Sequence, residues 1–149
     1  MKTKDIAPCG LNCSLCLGYQ REKNKCNGCN GPEETKPYHC VECRIRNCEE
    51  KHGKKDTLCS ECKKYPCRWI KDLEKRYRTR YNVRIHENFK AIKDLGKREF
   101  IKREKVKWRC TGCNQYVCMH REKCLFCGTN NHMYIVKTKI GRASCRERV

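Results

Sequence analysis

Cysteine is the residue type that carries chemistry in this chain, with 17 among 149 residues. Eleven lie between Cys9 and Cys67, as CGLNCSLC (Cys9, Cys13, Cys16), CNGC (Cys26, Cys29), CVECRIRNC (Cys40, Cys43, Cys48) and CSECKKYPC (Cys59, Cys62, Cys67). A further four form Cys110-Thr111-Gly112-Cys113 and Cys124-Leu125-Phe126-Cys127-Gly128, two glycine-bearing pairs separated by ten residues. CxxC pairs at such spacing bring thiolates to one metal ion, and the second set has the pattern of a zinc ribbon. Disulfides are the competing use of cysteine and belong to oxidising compartments. MKTKDIAPCG has no apolar leader and no run of about 18 apolar residues exists, so a cytoplasmic metal-binding chain is the expectation, with no membrane partner.

The N-terminal cysteines leave the metal open. Those from Cys9 to Cys29 could close one four-ligand site with one to spare, and all eleven fit two such sites, or three if a histidine joins. His39 and His52 flank the third group and are candidates, although a solvated loop histidine is the commoner fate. Cys9-x3-Cys13-x2-Cys16 has the spacing of radical S-adenosylmethionine enzymes, in which three thiolates hold a [4Fe–4S] cluster. Those enzymes need a barrel of roughly 200 residues or more, which this chain lacks. An iron–sulfur cluster without that chemistry remains the alternative to zinc, since thiolates accept either metal.

Composition explains why metal has to position the rest. Val, Ile, Leu and Phe make up under a fifth of the chain, whereas 36% of residues are charged. Without the cysteines that balance is one of disorder. A structural zinc supplies about 10–16 kcal/mol of apparent binding free energy in a small peptide. The final ten residues, IGRASCRERV, look like translated sequencing adapter, which would remove Cys145 as a ligand and lower the formal charge from +19 to +17. Each zinc held by four thiolates contributes about −2 more, and the protein stays basic.

The elements that hold these sites follow from periodicity. Asn12 can cap a short helix over CSLCLGYQR with Cys13 and Cys16 on one face. In Cys26-Asn27-Gly28-Cys29, Gly28 permits a tight turn whose N–H groups point at the thiolate sulfurs. Pro66 suits the first turn of a helix beginning near Cys67, on which Trp69, Leu73, Tyr77 and Tyr81 form an apolar stripe to about Arg80. Asn82 breaks it. Ile85, Phe89 and Ile92 predict a second helix ending at Leu95-Gly96, and Phe100, Ile101 and Val106 a third reaching Trp108. From Lys63 to Arg109 there are 18 Lys or Arg against six Asp or Glu, with Arg76, Arg80 and Arg84 four residues apart. Such a stripe would neutralise nucleic-acid phosphates, or be a solvated face. QYVCMH alternates as a strand with Cys118 and His120 on one face, either a spare metal face or simple packing, and HMYIVK reads as a further ribbon strand.

With these residues laid out, APCGLNCSLCLGYQREKNKCNGC, CRIRNC, CSECKKYPC, DLEKRYRTRYNV and WRCTGCNQYVCMHREKCLFCG together resemble the cysteine-rich domain of unknown function 3795, over roughly Ala7 to Gly128. The resemblance implies a small intracellular metal-binding protein and carries over no catalytic residue. It supports the cysteines from Cys9 to Cys67 as a set, Cys40 least.

The expectation is a small metal-stabilised α+β protein. Residues 1–67 form a cysteine-rich zinc-knuckle domain with short helices, 68–107 a basic helical segment packed on it, 108–139 a zinc ribbon, and 140–149 the adapter-like tail. Several zinc ions, with nucleic acid or another protein as partner, are expected. No paired carboxylates, Ser–His arrangement or phosphate-cradling loop argues for catalysis, and no small-molecule substrate is identifiable.

Overall fold

The computed structural model describes residues 1–51 and 57–135; His52, the last two residues of the expected strand HMYIVK, Cys145 and the adapter-like tail lie outside them. Among the described residues the protein is small and mostly helical. Two short helices, α1 (Leu17–Gln20) and α2 (Tyr38–Val41), sit in the cysteine-rich half. Two long ones, α3 (Arg68–Tyr81) and α4 (Ile85–Lys107), follow it. None of them is long and apolar enough to cross a membrane.

Local chemistry sets the helix ends. Asn12 does cap, its side chain accepting from the Ser14 N–H at 3.2 Å, but the expected continuous helix is interrupted. Cys13–Leu15 is a 3-10 turn and Cys16 is extended (φ −79°, ψ 143°) before α1 begins, so Cys13 and Cys16 do not share a helical face. Cys67 is the residue preceding α3, which puts Pro66 outside the first turn. Asn82 ends α3 in the left-handed conformation at φ 54°, where asparagine is tolerated. Gly96, at φ 80° and ψ 159°, interrupts α4 between the two predicted stripes, in a region open essentially to glycine alone.

The apolar face of α3 differs from the predicted one. Ile70 is fully buried, with Glu74 buried and Leu73, Tyr77 and Tyr81 half-buried beside it, whereas Trp69 is 39% exposed. The face is turned one residue from the expected stripe, and Trp69 lies at its edge under the Arg44 guanidinium, 4.7 Å from the ring centroid. Glu74 is the reason a carboxylate belongs in that face. Its Oε2 accepts the Ile85 N–H at 2.5 Å and the His86 N–H at 3.3 Å, so α3 caps the start of α4.

The β component expected of an α+β fold is slight: among the described residues pairing is confined to isolated bridges at Ile6–Asn12, Arg109–Tyr116 and Lys123–Asn130. The predicted strand QYVCMH is cut to the single bridge at Tyr116, because pairing stops after Val117 and the next amides turn away. Val117 N–H donates to the Trp108 carbonyl and Met119 N–H to that of Leu15. Val117, Cys118 and Met119 are buried in succession instead of alternating. His132 to Tyr134 is turn and bend, not strand.

Among the described residues one core joins the N-terminal loops, both long helices and the loops after them: Leu11 and Leu15, Ile70 from α3, Phe89 and Phe100 from α4, and Trp108, Val117 and Met119.

Candidate metal centres

The C-terminal centre is built from two loops of the same design. In each, the first cysteine's N–H donates to the carbonyl five residues on: Cys110 to Gln115 at 2.7 Å and Cys124 to Thr129 at 2.8 Å. The residue four on returns a bond to that cysteine's carbonyl, Asn114 at 3.1 Å and Gly128 at 3.0 Å, and both Asn114 and Gly128 have positive φ. The bridges Arg109–Tyr116 and Lys123–Asn130 close the two loops.

Facing each other, the loops bring the sulfurs of Cys110, Cys113, Cys124 and Cys127 within 4.8 Å of one another. Cys110 and Cys127 are 3.5 Å apart and Cys113 and Cys124 3.7 Å. A tetrahedron with metal–sulfur bonds of about 2.3 Å has sulfur–sulfur edges of about 3.8 Å, so the four donors fit a single ion. Gly112 permits the approach, because a Cβ there would lie 2.3 Å from Thr129 Oγ1 and 3.3 Å from Cys127 Sγ. Its N–H points at Cys110 Sγ, 3.4 Å away. Crowding splits the acidities. The Thr129 hydroxyl and amide hold the Cys127 thiol down at about 6. The Gln115 amide pulls Cys113 the same way, but desolvation and the neighbouring thiols carry it up to about 12. A divalent cation removes that conflict by stabilising all four thiolates together.

The N-terminal centre is wider. Cys9, Cys13, Cys16, Cys26, Cys29 and Cys40 line one cavity of about 100 Å³, with Tyr77 and His120 in its wall. The sequence grouped the first five, and Cys40 joins them from α2. The Cys29 N–H points at Cys13 Sγ and the Gly28 N–H at Cys26 Sγ, each at 3.4 Å. The Leu11 amide supports Cys9, and the Gly18 and Tyr19 amides support Cys16. Burial raises the Cys9 and Cys16 thiols, and the hydrogen bond with Cys29 raises Cys13. Burial and then the thiols of Cys29, Cys16 and Cys26 push Cys40 to about 11. Without a cation, these groups are held as thiols.

The remaining predicted ligands are less gathered. Among the described residues no other three His, Cys, Asp or Glu donors lie within 4.8 Å of one another. Cys59 is tied to the N-terminal loop through its N–H to the Pro8 carbonyl, 2.8 Å, and Cys67 precedes α3. Cys48 and Cys62 both act on the Lys64 ammonium, which pairs with Glu50 at 2.5 Å, and Cys43 lies near Cys9 and Cys40. His39 is exposed.

Sequence reasoning placed Cys118 and His120 on one face, and the structure separates their roles. Cys118 is buried beyond the cavity wall, which pushes its thiol to about 11. His120 Nδ1 accepts the Leu17 N–H at 3.3 Å, so Nε2 carries the proton and donates to the Tyr77 hydroxyl at 3.3 Å. Burial, with Arg121 nearby, lowers the imidazole's pKa and keeps it neutral. Arg76, Arg80 and Arg84 are all exposed, but the stripe is divided: Arg76 and Arg80 are on α3, while Arg84 precedes α4 and pairs with Glu87 at 3.6 Å.

Compared with known proteins, residues 5–72 match the model of a family described as a protein of unknown function (DUF3795). No curated protein and no solved structure matches the chain.

Proposed function

Residues 5–72 match a family whose description assigns no activity, and we propose a role from this chain's own donors: a zinc-stabilised interaction module whose partner is nucleic acid. The observation that carries the metal half is the C-terminal set of four sulfurs, spaced as the edges of one coordination tetrahedron. Zinc there closes the ribbon and fixes it against Trp108 and Val117.

The partner half rests on charge and exposure. Arg76, Arg80 and Arg84 project to solvent from a segment with a large excess of cations. On the second ribbon loop Phe126 is 58% exposed and Leu125 42%, close in sequence to Arg121 and Lys123. Exposed aromatic surface beside cations suits bases stacked on one side and phosphates neutralised on the other.

Binding to a short duplex and to a single strand, titrated between 50 and 200 mM salt, tests this reading. Changing Arg76, Arg80 and Arg84 together to Ala should lower the duplex salt slope by about 1.8–2.7, the smaller figure applying if Arg84 stays with Glu87. An unchanged slope removes this face, and retained zinc with no binding to either strand would leave a protein partner.

A further inference from the structure

The two sets of cysteines differ in geometry, and the difference carries a conclusion independent of the nucleic-acid reading. The C-terminal set converges on a point; the N-terminal set surrounds a space. Six thiols are two more than one tetrahedral ion takes. No three of them lie within 4.8 Å of one another, whereas all four of the C-terminal set do. The cavity of about 100 Å³ between them has the volume of roughly three waters, and its other walls include Ala7, Leu11 and Met119. One ion with its ligands drawn inward would leave part of that space unfilled.

We propose that Cys9, Cys13, Cys16, Cys26, Cys29 and Cys40 hold a polynuclear metal–thiolate cluster, in which two or more metal ions share bridging sulfur. A bridged centre places its outer ligands further apart than a single ion does and fills the volume between them. The backbone is arranged for it: the Gly28 and Cys29 amides point at the Cys26 and Cys13 sulfurs at 3.4 Å, and the Leu11 and Gly18 amides support Cys9 and Cys16, the outer donors that stabilise bound thiolates. His120 is not a ligand, because the Leu17 N–H occupies its one free lone pair. It is a positioning residue. By donating to Tyr77 it leaves the Tyr77 O–H free to donate in turn, from the wall of the cavity.

X-ray absorption at the zinc and iron edges, on the native full chain purified without oxygen, tests this without any mutation. A metal–metal scattering shell is expected. Iron with acid-labile sulfide would identify a sulfide-bridged cluster, and zinc alone a thiolate-bridged one. If every metal shows only sulfur neighbours and no metal–metal shell, the proposal fails. The variant Cys26→Ser/Cys40→Ser should lose the shell and at least two metal equivalents while the ribbon keeps its one. Loss of the shell from Cys43→Ser/Cys48→Ser, with Cys26→Ser/Cys40→Ser unaffected, would place the cluster elsewhere and refute the assignment. Tyr77→Phe should shift the cluster's absorption band at unchanged metal content; an identical spectrum would remove Tyr77 as a donor. The salt slope of nucleic-acid binding stands or falls separately.

Discussion

Glu74→Ala is the substitution whose cost the structure defines most closely. The carboxylate accepts two N–H groups at the start of α4, one from Ile85, which is fully buried, and one from His86. Removing it leaves the Ile85 N–H buried without a partner, worth about 1–3 kcal/mol, and deletes a negative charge from a helix N-terminus, up to about 2 kcal/mol where partly buried. A loss of about 2–4 kcal/mol follows. Glu74→Gln keeps an acceptor oxygen and should cost about 1 kcal/mol. With a urea dependence of about 2 kcal/mol per M, the Ala variant's midpoint falls by about 1–2 M, measured with metal held saturating in both proteins. A shift in Ala no larger than that in Gln would show that the acceptor is not what joins α3 to α4. The joint matters for function because α3 carries both Tyr77 and the exposed arginines.

Other substitutions probe single features. Burial raises the Glu104 carboxyl against the pull of Lys107, so ionisation costs more folded than unfolded and stability falls as pH rises from about 4.5 through the raised value. Glu104→Gln should therefore be more stable than the parent at pH 7, the gap closing below pH 4.5 in paired denaturation curves; a constant gap would refute the burial account. Gly112→Ala pushes a methyl into Thr129 and Cys127 and should weaken ribbon zinc affinity about 10- to 100-fold, measured by chelator competition. Adding Thr129→Ala should recover part of that loss. Gly96→Ala should destabilise by about 1–3 kcal/mol through its backbone angles alone, since no atom lies within 4 Å of the added carbon.

What the sequence revealed was local. Asn82 and Gly96 are residues whose own conformational freedom marks a break, and both breaks are where they were expected. The C-terminal cysteines were legible because each pair's geometry is fixed within its own loop. Non-local choices were not. Ile70 displaces Trp69 from the core because α4 and the N-terminal loops select the face, and Leu73 follows Trp69 by four residues and Ile70 by three, both helical spacings. Glu74 reads as a solvated charge until the N-terminus of α4 is seen beside it. Gln115 to His120 alternates like a strand, yet the amides of Val117 and Met119 go to Trp108 and Leu15, far apart in sequence. Cys40 joins the N-terminal cavity only through the path of the chain between Cys29 and α2, which no motif encodes.

Thiolate-bound metal holding this polar chain folded is the central claim, and metal content with its removal tests it most directly. Native protein, prepared without oxygen, should carry bound metal including one zinc at Cys110, Cys113, Cys124 and Cys127. Stripping all metal with a strong chelator under reducing conditions should abolish the near-ultraviolet circular dichroism and expose the cysteines to a thiol reagent, reversibly on adding metal back. A metal-free chain with an unchanged spectrum and protected thiols would contradict the account.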